Sequence, residues 1–446
     1  MIERDALQYL RNWRFDRDRH PLVLRGTRQV GKTTIVNEFA REYDHYLYLN
    51  MESNGDRGAF DLNLSIQDTV SLLFARKKQK QGEGDTLIFI DEIQNSPQAV
   101  AKLRYFYEEM PQLHVIAAGS LLENIIDIKT SFPVGRVDYL PIRPCSFREF
   151  LRAIDRATEL LSFDNAELTR PFHTEYMALF NQYCIIGGMP EVVQHYTDHR
   201  DLLGVDRICS RLMRAYLDDV EKYCRSNKLT EVVRHIIKYG WYEAGSIIRL
   251  GGFANSQYRS REVGEAFQLL QKAMLLELVH PTTSAQVPSI PEMKRMPKLF
   301  WFDTGIVNYA ADVRTKLIGT NDILDVWRGR IGEQIVAQEL LATSNDINRH
   351  RSFWTKGKGE SGAEVDLLWT VDSKLIPIEV KTGHNAHLKS LHSFMDQSST
   401  DVAVRVWSGP FSVDTVETTF GKKRFKLINL PFYLVWDTER IVRKEL

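Results

Sequence analysis

Between Arg25 and Val36 the chain reads RGTRQVGKTTIV, and Gly26, Gly31, Lys32 and Thr33 satisfy the pattern GxxxxGK[ST]. This motif constrains the fold because its chemistry works only in the turn between a buried strand and a helix. The flanks supply both: PLVLRG is a short apolar run ending at glycine, and Ile35, Val36, Phe39 and Ala40 recur at helical spacing. Glycines let the backbone curl so that Gly26, Thr27, Arg28, Gln29, Val30, Gly31, Lys32, Thr33 and Thr34 can cradle a phosphate, aided by the helix N-terminus. Lys32 is placed to reach the β- and γ-phosphates of ATP, and the Thr33 hydroxyl to ligate Mg²⁺.

A phosphate cradle of this kind needs a carboxylate from a neighbouring strand. TLIFIDEIQN is apolar from Leu87 to Ile90 and then delivers Asp91 and Glu92, as a buried parallel strand does at its carboxyl end. Asp91 is the candidate for the Mg²⁺ shell and Glu92 for orienting the attacking water. LHVIAAGS repeats the pattern, apolar from Val115 to Ala118, and places Ser120 as a γ-phosphate or water sensor, or as an ordinary helix N-cap. Arg136, just before the apolar stretch Val137 to Ile142, could stabilise phosphoryl-transfer charge in cis or across a subunit boundary, or be a surface arginine.

Together, LRGTRQVGKTT, LIFIDEIQ, VIAAGS and PVGRVDYLPIRPCSFREFL resemble the AAA-type predicted ATPases of bacteria and archaea that carry a C-terminal nuclease-like domain. YCIIGGMPEVV and PKLFWFDTGIVNYA resemble further signatures of that family, so the likeness runs from about residue 15 almost to the C-terminus. It implies an α/β protein. A P-loop AAA-like parallel-sheet domain occupies 1–150, a helical lid or connector 151–204, a winged-helix domain 205–315 and a restriction-endonuclease-like domain 316–446.

Composition suits that architecture. In 446 residues, 43% are hydrophobic, enough for several cores, and 58 Lys+Arg balance 58 Asp+Glu, so any nucleic-acid surface must be local. Four cysteines without CxxC spacing argue against structural zinc or a disulfide framework and favour a reducing cytoplasm. No apolar run approaches the ~18 residues of a spanning helix, so no membrane partner is expected.

In the middle, YRSREVGEAFQLLQKAMLLELVHP reads as a long helix running into a strand, and KLFWFDTGIV as a returning strand, the order of a winged helix-turn-helix. Arg259 and Arg261 then begin a helix that contacts DNA or packs between domains. The GGMP segment enforces a helix break, read as a tight turn near the nucleotide or between domains.

The C-terminal segment carries a second constellation. RGRIGEQIVAQELL is helical with Glu333 in its first turns, and GAEVDLLWTVDSKLIPIEVKTG reads as a hairpin turning at VDSK. Strict alternation puts Val365, Leu367 and Trp369 on one face and brings Asp366 beside Glu379, with Lys381 pointing the same way. Glu333, Asp366, Glu379 and Lys381 resemble the PD-(D/E)xK nuclease signature. Three acids would hold Mg²⁺ and Lys381 would position or activate a water. The reading from sequence is a cytoplasmic Mg²⁺-dependent ATPase, a candidate homo-oligomer, coupled to a domain acting on DNA. The alternative is a nucleotide-switched scaffold whose C-terminal domain binds without cutting.

Overall fold

The computed structural model describes residues 2–82, 84–119, 135–222, 224–317, 330–349, 351–357, 362–381 and 388–446. Five strands, β1 (Leu22–Arg25), β2 (His45–Asn50), β3 (Thr86–Asp91), β4 (His114–Gly119) and β5 (Asp138–Pro141), form an all-parallel sheet in the order β2-β3-β4-β1-β5. Its strands are continuous apolar runs because both faces are covered. Alternate residues serve two cores: Leu22, Leu24, Leu87, Phe89, Ile116 and Ala118 pack on one side. Val23, Ile88, Ile90, Val115 and Ala117 pack on the other. β4 lies between the two motif strands β1 and β3, and Ser120 itself lies outside the described residues.

The expected boundaries at 150/151 and 204/205 fall within helices, Phe147–Ala153 and Leu202–Glu221. Ser146 and Glu149 close a capping box on the first of these, so it begins firmly and does not mark a linker. Beyond it, helices Asn227–Tyr239 and Ser260–Lys272 pack on a three-stranded sheet of β6 (Ser246–Ile247), β9 (Lys298–Trp301) and β7 (Leu276–Val279), ordered β6-β9-β7. Trp241, in the turn after the first of these helices, stacks on Trp301 of β9 with ring centres 3.6 Å apart.

A seven-stranded sheet occupies the C-terminal part, ordered β14-β15-β13-β12-β11-β10-β8. Its strands are β8 (Pro281–Thr282), β10 (Ser352–Thr355), β11 (Glu364–Val371), β12 (Lys374–Lys381), β13 (Val402–Trp407), β14 (Ser412–Glu417) and β15 (Arg424–Pro431). β8 comes from the middle segment and pairs with β10, so the two regions share a sheet. The β11–β12 hairpin turns at Asp372 and Ser373, both at positive φ (46° and 62°), which suits the twist of a two-residue turn. Among the described residues no helix is long and apolar enough to cross a membrane.

Candidate functional site

The P-loop closes between β1 and the helix Lys32–Phe39, with Gly31 at φ +99° and Gln29 at φ +63°. Gly31 takes a conformation that a side chain would strain, and it turns the chain into the helix. The Lys32 ammonium folds back onto the loop, donating to the carbonyl oxygens of Gly26 (2.8 Å) and Thr27 (2.9 Å). Burial lowers its pKa to about 8, against the pull of Glu92 and Asp91. Thr33 Oγ1 donates to Asp91 Oδ2 at 2.8 Å, and Tyr48 reaches the same oxygen at 3.3 Å. Thr33, in the first turn of the helix, and Asp91, at the end of β3, thus bring together two oxygens of the kind that ligate Mg²⁺. Glu92 sits in the left-handed region (φ 51°) and accepts from Gln94; burial raises its pKa.

Other groups hold the loop that sequence reasoning did not identify. The Arg4 guanidinium pairs with Glu149 at 3.0 Å and donates to Val30 O and Arg143 O, so the N-terminal segment braces the cradle. Arg28, expected among the cradle residues, has its side chain on Asp219 Oδ1 at 2.7 Å, tying the loop to the helix Leu202–Glu221. Beside Gly31 and Thr34 opens a mostly apolar cavity of about 260 Å³ lined by Ile2, Leu7, Ile35 and Pro190. Arg4, Gln29, Glu38, Glu191 and Gln194 complete its lining, and Pro190 places the end of the GGMP segment on it. The same segment is also a junction: Gly187 has φ +85° and lies so close to Gly305 that a Cβ would meet its Cα at 2.8 Å, while Gly188 N donates to Asp303 Oδ2 at 2.6 Å. Arg136 is half-exposed, paired to Glu108 at 3.1 Å and donating to Gly135 O at 3.2 Å.

The C-terminal acids converge, with two changes from the sequence reading. First, Glu333, Glu364 and Asp366 bring carboxylate oxygens within 4.8 Å of one another, so Glu364 joins the set and Glu379 lies outside that trio. Glu379 pairs instead with Lys381 at 2.6 Å, and its Oε2 is buried without a partner. Second, a lysine already lies among the acids. Lys298 of β9, 2% exposed, places its ammonium 2.7 Å from Glu333, 2.6 Å from Glu364 and 3.5 Å from Asp366. Although burial opposes the charged form, the acids hold its pKa well above the usual range for a lysine. Burial and the neighbouring Asp366 raise Glu333 and Glu379, each to about 8.

Strict alternation in β11 is also corrected. β10 pairs Ser352 with Leu368 but Trp354 with Val365, so Asp366 and Leu367 together face Phe353, a β-bulge. Val365 therefore packs with Leu368, Phe394 and Met395, while Leu367 and Trp369 pack in the other core. The bulge sits at the acid, and Asp366 Oδ2 accepts from Val380 N at 2.8 Å.

Residues 18–151 match a family model described as an AAA domain. Residues 177–317 and 328–433 match two models described as domains of unknown function. No curated protein matches the chain. Among solved structures, the Walker-type ATPase PABY2304 of Pyrococcus abyssi is similar at 13% identity over 70% of this chain and 96% of its own, with a TM-score of 0.43. Cdc6p from Pyrobaculum aerophilum is similar at 16% identity over 70% and 93% of the two chains, TM-score 0.25. For Drosophila ORC bound to DNA the figures are 13%, 69%, 85% and 0.27. The family match and the five-stranded parallel sheet carrying the phosphate loop agree: residues 18–151 form an AAA-type domain.

Proposed function

We propose that this protein binds and hydrolyses ATP with Mg²⁺ in its AAA domain and couples that cycle to a C-terminal restriction-endonuclease-like domain acting on DNA. The observation that carries the first part is the 2.8 Å contact of Thr33 with Asp91, beside a lysine folded onto its own loop. Thr33 and Asp91 would hold Mg²⁺, which when bound neutralises charge on the phosphoryl oxygens. Lys32 exchanges its two carbonyl partners for phosphate oxygens, and the cavity beside Pro190 takes the base. Glu92, its proton affinity raised by burial, orients and polarises the attacking water. Arg136, half-exposed and held by Glu108 and the Gly135 carbonyl, would reach a second copy of the chain as a phosphoryl-charge stabiliser. ATP affinity measured on Lys32→Ala tests the assignment; an affinity unchanged from wild type refutes it.

The middle segment supports a winged-helix reading: helix, short strand, helix and an antiparallel pair in the order β6-β9-β7, with Arg259 and Arg261 exposed at the start of the second helix. In the C-terminal domain the carboxylate set and the unpartnered Glu379 Oε2 fit a divalent cation with oxygen ligands, and such an ion activates water when bound. Glu333, Glu364, Asp366 and Glu379 would hold it, and Lys381 would orient the water. One observation favours the rival reading, a domain that docks without cutting: Lys298 already supplies a cation to three of those acids. Plasmid nicking by wild type in Mg²⁺ and ATP separates the two.

A further inference from the structure

Lys298 reaches the C-terminal acids from a different sheet. It is the first residue of β9, the central strand of the order β6-β9-β7, and pairs there with Ile247 and Val279. Glu364 and Asp366 belong to β11 of the seven-stranded sheet, and Glu333 to the helix Arg330–Ala342. The ammonium also lies 5.0 Å from the centre of the Phe353 ring, on β10. One buried cation therefore fastens the middle segment to the C-terminal one, and it does so at the acids.

An ammonium has three N–H donors, and three carboxylates surround this one: Glu364 Oε1 at 2.6 Å, Glu333 Oε2 at 2.7 Å and Asp366 Oδ1 at 3.5 Å. The acid set is larger than that. Glu379 is buried and close enough to feel both Asp366 and Lys298, yet its Oε2 has no partner and its Oε1 rests on Lys381 at 2.6 Å. Four neighbouring carboxylates exceed what one ammonium uses and suit the oxygen-rich shell of a divalent ion. Mg²⁺ stands about 2.0–2.1 Å from its oxygens, closer than the ammonium does to any of these. The oxygens nearest Lys298 are thus the ones a metal needs, and two cations on the same carboxylates repel.

Taking these acids as the divalent-cation site of the function proposed above, we propose that Lys298 is an autoinhibitory plug. Its ammonium and a divalent metal occupy the same carboxylates in turn, so the site is shut to metal while Lys298 is seated. The way out lies at the end of the strand. The loop before Lys298 exposes Ile290, Met293 and Met296, whereas further along β9 Trp301 is clamped by Gln334, which accepts from its N–H at 2.9 Å and donates to its carbonyl at 2.7 Å. Lys298 leaves the acids by a swing of its stem or by fraying of that one strand end, with the rest of β9 held. The open form of such an equilibrium is populated at roughly 0.1–10%, and the apparent affinity for metal is reduced by the same fraction.

The test uses the full chain and Mn²⁺ alone, without nucleotide or nucleic acid. By calorimetry, Lys298→Met and Lys298→Gln should each bind Mn²⁺ at least tenfold more tightly than wild type. A second measurement needs no variant and so does not depend on their folding: wild-type lysines are labelled with an acylating reagent and the modified positions located by mass spectrometry. Lys298 should be protected in chelator and become reactive at saturating Mn²⁺. Equal Mn²⁺ affinity in wild type and both variants, or a Lys298 amine that stays protected while wild type is saturated with Mn²⁺, overturns the plug and leaves the metal site standing. Absence of saturable Mn²⁺ binding at millimolar concentration in wild type and both variants overturns both. Tighter Mn²⁺ binding by variants that do not nick plasmid DNA supports the plug and removes the nuclease.

Discussion

Replacing Lys298 by methionine keeps the length and apolar stem of the side chain and removes only its charge. In the structure that charge faces Glu364 at 2.6 Å, Glu333 at 2.7 Å and Asp366 at 3.5 Å. At an effective dielectric of ~20, each contact of this kind is worth roughly 5 kcal/mol, most of it offset by the cost of burying the ions. What deletion measures is the penalty of leaving the acids mutually repelling, on the order of 3–5 kcal/mol. In chelator, Lys298→Met should therefore lose about 4 kcal/mol locally. That corresponds to amide exchange in β11 and β12 faster by roughly three orders of magnitude, read by hydrogen-exchange mass spectrometry. Added Mn²⁺ should then slow exchange more in the variant than in wild type, with about 2.7 kcal/mol recovered at a hundredfold excess over the dissociation constant. Wild-type exchange rates for Lys298→Met in chelator would refute the reasoning, because the ammonium would then not be the counter-charge of these acids.

Three further outcomes follow from other contacts. Asp366→Asn should weaken both Mn²⁺ binding and DNA nicking, whereas Lys381→Ala should leave Mn²⁺ binding nearly intact and stop nicking; calorimetry beside a plasmid assay distinguishes them. Gly187→Ala should cost more than about 2 kcal/mol, measured by urea denaturation, because φ +85° strains any side chain and its Cβ would meet Gly305 Cα at 2.8 Å. Glu339 is fully buried, where desolvation lifts its pKa from 4.5 to about 7 despite the bonds it accepts from Tyr183 and Phe147. A carboxyl raised in this way binds its proton more tightly folded than unfolded, so its contribution falls as pH rises from about 4.5 to about 7. The loss is on the order of 3 kcal/mol, and denaturation of Glu339→Gln should show a flatter pH dependence across that window.

The P-loop was legible because its information is local: strand, glycines, lysine and helix lie within a dozen residues. Asp91 was legible because a buried parallel strand must end in something polar. Lys298 was not, since its three acids lie at least 35 positions away and nothing in KLFWFD separates a buried cation from a surface one. Glu364 carried a usable signal, an acid two residues before Asp366 and so on its side of an ideal strand. The bulge at Asp366 and Leu367 had none, because alternation assumes a regular ladder and Val365 leaves it. Arg28 and Asp219 are 191 residues apart, and their meeting depends on how the middle segment packs on the AAA domain.

The central claim, that the AAA domain turns over ATP through Glu92, is tested most directly on Glu92→Gln by measuring nucleotide affinity and steady-state phosphate release on the same preparation. Lys32, Thr33 and Asp91 are untouched by that change, so the account predicts ATP affinity within about threefold of wild type and hydrolysis reduced by two orders of magnitude or more. Hydrolysis at the wild-type rate in Glu92→Gln would contradict it.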